Sequence, residues 1–321
     1  MLPNHYYPQM SQMIKNKISN QIMTAKPHRV ILDTDTFNEV DDQFALAHAA
    51  LSPGHIKLEA VYAAPFHNAR SAGPAEGMEK SYQEIFNVLS LLPEGAAKPA
   101  VFRGADRWLG PSRKPVESEA VSDLIQRALA SPPDDPLQVV AIAAPTNIAS
   151  ALLIEPRIAD HIRLIWLGGQ PLYWPTAEDF NLRQDVASSQ VLFEKAKNFL
   201  FIPCRNVAQH LLLTMPDLND KLPPDGGLGD FLRQRFELYI RQKGFDSKPL
   251  WDVAAIAPLV NPGWLPFEET ARPRLTDTMQ WRPGEGRGTL AVATEINRDA
   301  IFADMFAKLR AAASGGNHKL Q

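Results

Sequence analysis

Short apolar runs alternate with amphipathic stretches along most of this chain, and that alternation limits the possible folds more than any other feature. The runs lie at 29–33, 56–63, 138–144, 162–168, 198–203 and 289–294. They are rich in Val, Ile and Leu and too continuous for a strand with one wet face, so they read as strands covered on both sides. Helical patterns lie between them, at 42–51, 78–91, 118–130, 147–154, 185–197, 227–243, 252–259 and 298–312. Strand–helix alternation without a long linker predicts one α/β domain over 28–312, with a mostly parallel central sheet and helices on both faces. Residues 1–27 are polar without clear periodicity and read as a tail or arm, and 313–321 as a disordered C-terminal tail.

Charge and cysteine usage narrow the function. With 33 basic and 36 acidic residues the net charge is −3. There is no strong basic field, which argues against a nucleic-acid partner or a polybasic membrane role. The lone Cys204 cannot form an internal disulfide. No apolar run approaches the roughly 18 residues of a membrane span. The first residues lack the basic start and apolar stretch of a signal peptide, so a cytoplasmic protein is expected.

A parallel sheet gathers its ligand groups at the carboxyl ends of its strands. Asp33 and Asp35 end the first run, His67 and Asn68 follow the second, and Thr146 and Asn147 follow the third. The first segment, VILDTDTFNEVDDQ, packs Asp33, Asp35, Glu39, Asp41 and Asp42 into ten residues. Such carboxylates repel one another unless a cation sits among them, and a hard oxygen-binding ion, Ca²⁺ or Mg²⁺, is the natural partner. No Cys and His cluster suggests zinc. Asp41 and Asp42 also open a predicted helix, where the macrodipole favours acids. A helix cap followed by a solvated acidic loop is the plainer alternative.

This segment resembles the D-x-D-P-G-x-D-D signature of the nucleoside hydrolases, lengthened here to D-T-D-T-F-N-E-V-D-D and without its Pro-Gly turn. Three more stretches resemble family motifs in the family's order: APTNIASALLIEP, LGGQPLYWPTAEDFNLRQD and PLWDVA. The resemblance spans about 28 to 310 and implies a divergent, Rossmann-like nucleoside hydrolase fold. It implies one Ca²⁺ held by Asp35, Asp42, the backbone carbonyl of Thr146, and Asp252. It gives Asp35 the proton of an attacking water, and Asp33 a supporting place behind the loop. Asp41 and Asp252 would grip the 2′ and 3′ hydroxyls of ribose, and Asp179 and Asn181 the 5′ hydroxyl. Asp179 is one methylene shorter than the family's glutamate, and Glu178 is the alternative.

Departures from the pattern define this branch. Asn38 and Glu39 fall in the two-residue insertion and could reach the sugar or brace the loop. Trp251 stands where the family often has a histidine thought to protonate the leaving base, and an indole cannot be a general acid. Trp251, Trp174 and Tyr173 could stack on a base or simply pack. Asn68 or His67 could replace the family's displaced asparagine, while His210 reads as structural.

The resulting expectation is Ca²⁺-dependent hydrolysis of the N-glycosidic bond of a ribonucleoside or related riboside. By resemblance the protein would be a homo-oligomer, dimer or tetramer. Two alternatives stay open: a ribosyl-binding protein without turnover, and a haloacid-dehalogenase-type phosphatase with Asp33 as nucleophile, since VILDTDT also fits D-x-D-x-[TV].

Overall fold

The computed structural model describes residues 26–316. In chain order the elements are β1 (His28–Thr34), α1 (Asp41–Ala50), β2 (Ile56–Ala63), α2 (Pro74–Ser90), β3 (Ala100–Arg103), α3 (Glu119–Leu129), β4 (Leu137–Ala141) and α4 (Thr146–Ile154). There follow β5 (Ile162–Leu167), α5 (Phe180–Gln184), α6 (Val186–Lys195), β6 (Asn198–Ile202), β7 (Leu212–Thr214), α7 (Met215–Lys221) and α8 (Leu228–Lys243). The chain ends with β8 (Ser247–Pro249), α9 (Val253–Val260), β9 (Phe267–Ala271), β10 (Arg274–Leu275), β11 (Trp281–Arg282), β12 (Thr289–Ala293) and α10 (Arg298–Gly316).

The central sheet has eight strands in the order β3-β2-β1-β4-β5-β6-β12-β9. All neighbours are parallel except β9, which runs antiparallel to β12. The chain builds outward from β1 through β2 and β3, then returns to the other side of β1 with β4. The strand order therefore reverses between β1 and β4, and the crevice at their carboxyl ends is where such sheets bind ligands.

Each apolar run in the sequence forms a strand. The β3 strand (AVFR) escaped notice because it is four residues long and only partly buried, and β9 (FEETA) because it is a largely exposed, charged edge. The 138–144 run gives β4 only to Ala141; Ile142 still donates its N–H to the Asp33 carbonyl at 2.9 Å and lines the crevice. The helix expected over 185–197 is preceded by a separate short helix, α5, and Asp185 caps the start of α6. At the far end α10 continues past 312 to Gly316.

Side-chain alternation along β1 divides the core. Val30 and Leu32 pack on one face with Phe44 of α1, Ile256 of α9 and Phe302 of α10. Ile31 packs on the other with Leu124 of α3, Ile148 of α4 and Phe193 of α6. Both faces are thus sealed by helices, which is why the strands carry so few polar residues. Burying a Leu, Ile or Phe side chain contributes roughly 1.5–3 kcal/mol.

α1 is the most enclosed helix, with every residue from Asp41 to Ala50 buried. His48 on this helix is fully buried, with Nε2 2.8 Å from Asp304 Oδ2 of α10. Burial pulls its pKa below the ordinary value of 6.5, against the opposing pull of Asp304. The unfolded chain therefore takes up the proton first as pH falls, and stability is lost progressively below about pH 6.5. We predict that His48→Gln loses less stability than wild type when urea unfolding is compared at about pH 7.5 and about pH 5.5. Parallel losses in both proteins would remove His48 from the account.

Candidate active site

The loop after β1 and the start of α1 form the floor of a cavity of about 350 Å³ at the carboxyl edge of the sheet. Asp35, Asn38, Glu39, Asp41, Asp42, Asn181, Trp251 and Asp252 all line it. These residues come from three separate stretches of chain, joined here because β1, α5 and the start of α9 end at the same crevice.

Its centre is a trio of buried carboxylates. One ligand atom from each of Asp41, Asp42 and Asp252 lies within 4.8 Å of the other two. Asp35, which the sequence placed with Asp42 and Asp252, stands on the wall of the same cavity but outside that trio. Burial and the Asp42 charge push Asp35 well above the carboxylate range. Burial and the neighbouring Asp41 charge raise Asp42 to about 7, and Asp252 is raised by burial and Asp41. Crowded buried acids of this kind resist ionisation until a cation compensates them. The donors are all oxygens, which suits a hard divalent ion.

Neighbouring side chains hold the cluster in place. Thr34 donates its hydroxyl to Asp42 Oδ1 at 2.6 Å. Asn38 donates from Nδ2 to Asp35 Oδ2 at 3.1 Å and accepts from Asn68 Nδ2 at 2.7 Å. Of the pair after β2, Asn68 therefore acts from behind Asn38. His67 is exposed and bonds the Ser71 carbonyl at 2.9 Å, and neither residue lines the cavity. Asp33 is fully buried and accepts from Asn147 Nδ2 at 2.7 Å. Asn147 can approach because residue 104 is glycine: a Cβ there would lie 2.4 Å from the amide. Enclosed in this way and absent from the cavity lining, Asp33 cannot serve as a phosphatase nucleophile.

The inserted Glu39 has a partner that sequence reading missed. Lys248 on β8, 3% exposed, reaches Glu39 Oε2 at 2.5 Å and Asp41 Oδ1 at 3.0 Å. Tyr239 donates to Glu39 Oε1 at 2.8 Å. Burial alone would lower the Lys248 pKa, but the Asp41 and Glu39 carboxylates outweigh it and keep the ammonium charged. The extended loop is thus tied to the far side of the cavity by an internal ion pair. Nothing in the sequence marks Lys248, because its partners are about two hundred residues away.

Two sequence assignments change in three dimensions. Thr146 is buried at the first position of α4, where a backbone carbonyl points along the helix toward the residue four ahead. Its hydroxyl donates to Asp185 at 2.9 Å, and it does not line the cavity. Ile142, at the end of β4, does line the cavity, and its backbone oxygen accepts from Asn181 Nδ2 at 3.2 Å. Asp179 lines the cavity, but its carboxylate is already committed: Oδ1 accepts from Gly169 N and Leu182 N at 2.6 and 3.0 Å. Its Oδ2 accepts from Asn181 N at 3.2 Å and lies 3.3 Å from the Cys204 thiol.

Of the aromatic candidates only Trp251 lines the cavity; Tyr173 and Trp174 are 74% and 37% exposed outside it. Among the described residues no histidine lines the cavity, and His210 lies beyond it.

Residues 30–303 match the family model described as inosine-uridine preferring nucleoside hydrolase. The chain belongs to that family. Membership makes it a nucleoside N-glycosyl hydrolase and accounts for three of the four motifs meeting at one cavity, the APTNIASALLIEP stretch packing behind it. Non-specific ribonucleoside hydrolases RihC from Salmonella newport and Salmonella typhi are 28% identical over 266 residues, covering 75% of this chain and 80% of the relative. A purine-preferring ribonucleoside hydrolase from Gardnerella vaginalis superimposes with a TM-score of 0.71 at 20% identity, over 89% of this chain and 99% of the other. The plant nucleoside hydrolase PpNRh1 gives 0.65 at 19% identity, over 89% of this chain and 100% of the other. Both structures share the α/β fold. Among the described residues, no helix is long and apolar enough to cross a membrane.

Removing one member of a buried ion pair strands the other charges. Lys248→Met is expected to cost roughly 3–5 kcal/mol in urea unfolding, with part regained in Glu39→Gln/Lys248→Met. Additive losses in the double variant would show that the pair is not coupled. A second prediction concerns the carboxylates: millimolar Ca²⁺ should raise the Tm, more at about pH 8 than at about pH 5.5, because protons compete for the same oxygens. Asp42→Asn should abolish that rise; a rise that survives the substitution places the ion elsewhere.

Proposed function

We propose that this hydrolase is Ca²⁺-dependent and cleaves the N-glycosidic bond of a ribonucleoside or related riboside, releasing ribose and free base. The reading is carried by the buried trio of Asp41, Asp42 and Asp252 with Asp35 beside it on the wall of a sugar-sized cavity. Asp42 and Asp252 would hold the ion, with Asp35 and the Ile142 carbonyl as further oxygens; Asp41 is shared with Lys248. A divalent cation bound there would supply acidified water as a nucleophile at neutral pH.

The chain's own groups supply the rest. Asp35 keeps one oxygen free of protein partners, since Asn38 occupies the other. With a cation compensating the neighbouring carboxylates, Asp35 would be ionised and could take the water's proton on that oxygen. Cleavage builds positive charge on the ribose ring, and the surrounding carboxylates stabilise it in a water-poor site. Asn181 donates to the carbonyls of Ile142 and Leu167 at 3.2 and 3.1 Å, which leaves its own oxygen to accept a ribose hydroxyl.

Among the described residues no histidine lines the cavity to serve as the acid for the departing base. Trp251 offers a stacking face instead, and stacking tolerates different bases. Homo-oligomerisation and a cytoplasmic location accompany this reading as expectations from the family resemblance.

A reducing-sugar assay across purine and pyrimidine nucleosides, with and without chelator, tests the proposal. Ribose release should need Ca²⁺, and Asp35→Asn should lower kcat by roughly a thousandfold while the Tm stays near wild type. Turnover that persists in the chelated enzyme, or in Asp35→Asn, would overturn the assignment.

A further inference from the structure

The mouth of the cavity carries positive charge that the hydrolysis of a neutral nucleoside does not require. Arg183 and Arg205 both line it, and both are exposed. Elsewhere arginines at comparable sites find acids: Arg103 pairs with Glu79, Arg113 with Glu194 and Arg127 with Asp123. Neither Arg183 nor Arg205 has a carboxylate partner among the described residues. Arg183 lies over the Phe180 ring, 5.3 Å from its centroid, and Phe180 also lines the cavity.

Both guanidinium groups belong to the surroundings of Asp179. Arg183 is one helical turn further along α5, its backbone N–H donating to the Asp179 carbonyl at 3.1 Å. Arg205 follows Cys204, whose thiol touches Asp179 at 3.3 Å. Asp179 itself is spent on Gly169, Asn181, Leu182 and Cys204. A carboxylate accepts about four hydrogen bonds, so it has no capacity left for a substrate hydroxyl. Among the described residues the other acid at this end is the exposed Glu178, whose carboxylate makes no hydrogen bond to them. Two arginines without a carboxylate partner among the described residues therefore line the same end of the cavity as Glu178.

We propose that the substrate is an anionic riboside, with a phosphate or carboxylate at the end facing the mouth, gripped by Arg183 and Arg205. Guanidinium forks match such oxyanions and form charge-assisted hydrogen bonds with them. The position beside Asp179 and Asn181, away from the acidic floor, places this group on the 5′ carbon. The substrate would then be a nucleoside 5′-monophosphate, and the released sugar ribose 5-phosphate. The proposal rests on the hydrolase reading of the cavity, and the tests below separate the two.

With Ca²⁺ present, kcat/KM would be compared for neutral nucleosides, their 5′-monophosphates, and ribosides whose base carries a carboxylate. The 5′-monophosphates should exceed the matching nucleosides by at least roughly tenfold. Arg183→Gln/Arg205→Gln should lower that ratio by roughly ten- to a hundredfold. A preference for neutral nucleosides, or a ratio unmoved by the double substitution, overturns the proposal. A preference for the base carboxylate, lost in the double variant, overturns the 5′ assignment while keeping the arginine pair as the anion site. Direct binding of ribose 5-phosphate by calorimetry does not depend on turnover. If no riboside is cleaved but ribose 5-phosphate binds wild type and not the double variant, the hydrolase reading fails and the anion site stands. Equal binding to both proteins removes it.

Discussion

Mutual repulsion among buried carboxylates is the constraint around which this molecule is arranged. Asp35, Asp41, Asp42 and Asp252 meet at the one place where a doubly wound sheet opens, the carboxyl ends of β1 and β4. Left alone, such a group would be protonated or would push the strand ends apart. The structure meets the problem from two sides. A helix N-terminus and the Lys248 ammonium lie against Asp41, and an all-oxygen trio remains that a divalent ion can neutralise.

The rebuilt loop after β1 follows from the same constraint. Lengthening the acidic motif by two residues added another carboxylate, Glu39, to an already negative site. That addition is tolerated because Lys248 and Tyr239 meet it from β8 and α8. The pair therefore does more than balance charge: it fixes the loop that carries Asn38 against the opposite wall, and Asn38 in turn orients Asp35. A buried pair of this sort adds little net stability against an apolar equivalent, so its value lies in the geometry it imposes.

The mouth of the cavity follows a different logic from its floor. The floor is acidic, enclosed and matched to the cationic character that a ribosyl group acquires during cleavage. The mouth is exposed and carries arginines without a carboxylate partner among the described residues, beside an aspartate whose oxygens are all occupied. The proposed anionic riboside would thus be recognised and cleaved by separate charges of the same pocket.

The sequence alone determined six of the eight strands of the sheet, because strands sealed on both faces must be continuously apolar, and that pattern is local. It also determined the acidic segment and the motifs that meet it, since each lies directly after a strand. What it could not determine were relations between distant residues. Lys248 gave no local signal, Thr146 lies within α4 and off the cavity while Ile142 lines it, and Asp179 proved to be committed to its own backbone neighbours. Period and composition report which face of an element is buried; which oxygen is free, and which charge answers which, depends on how the chain closes on itself.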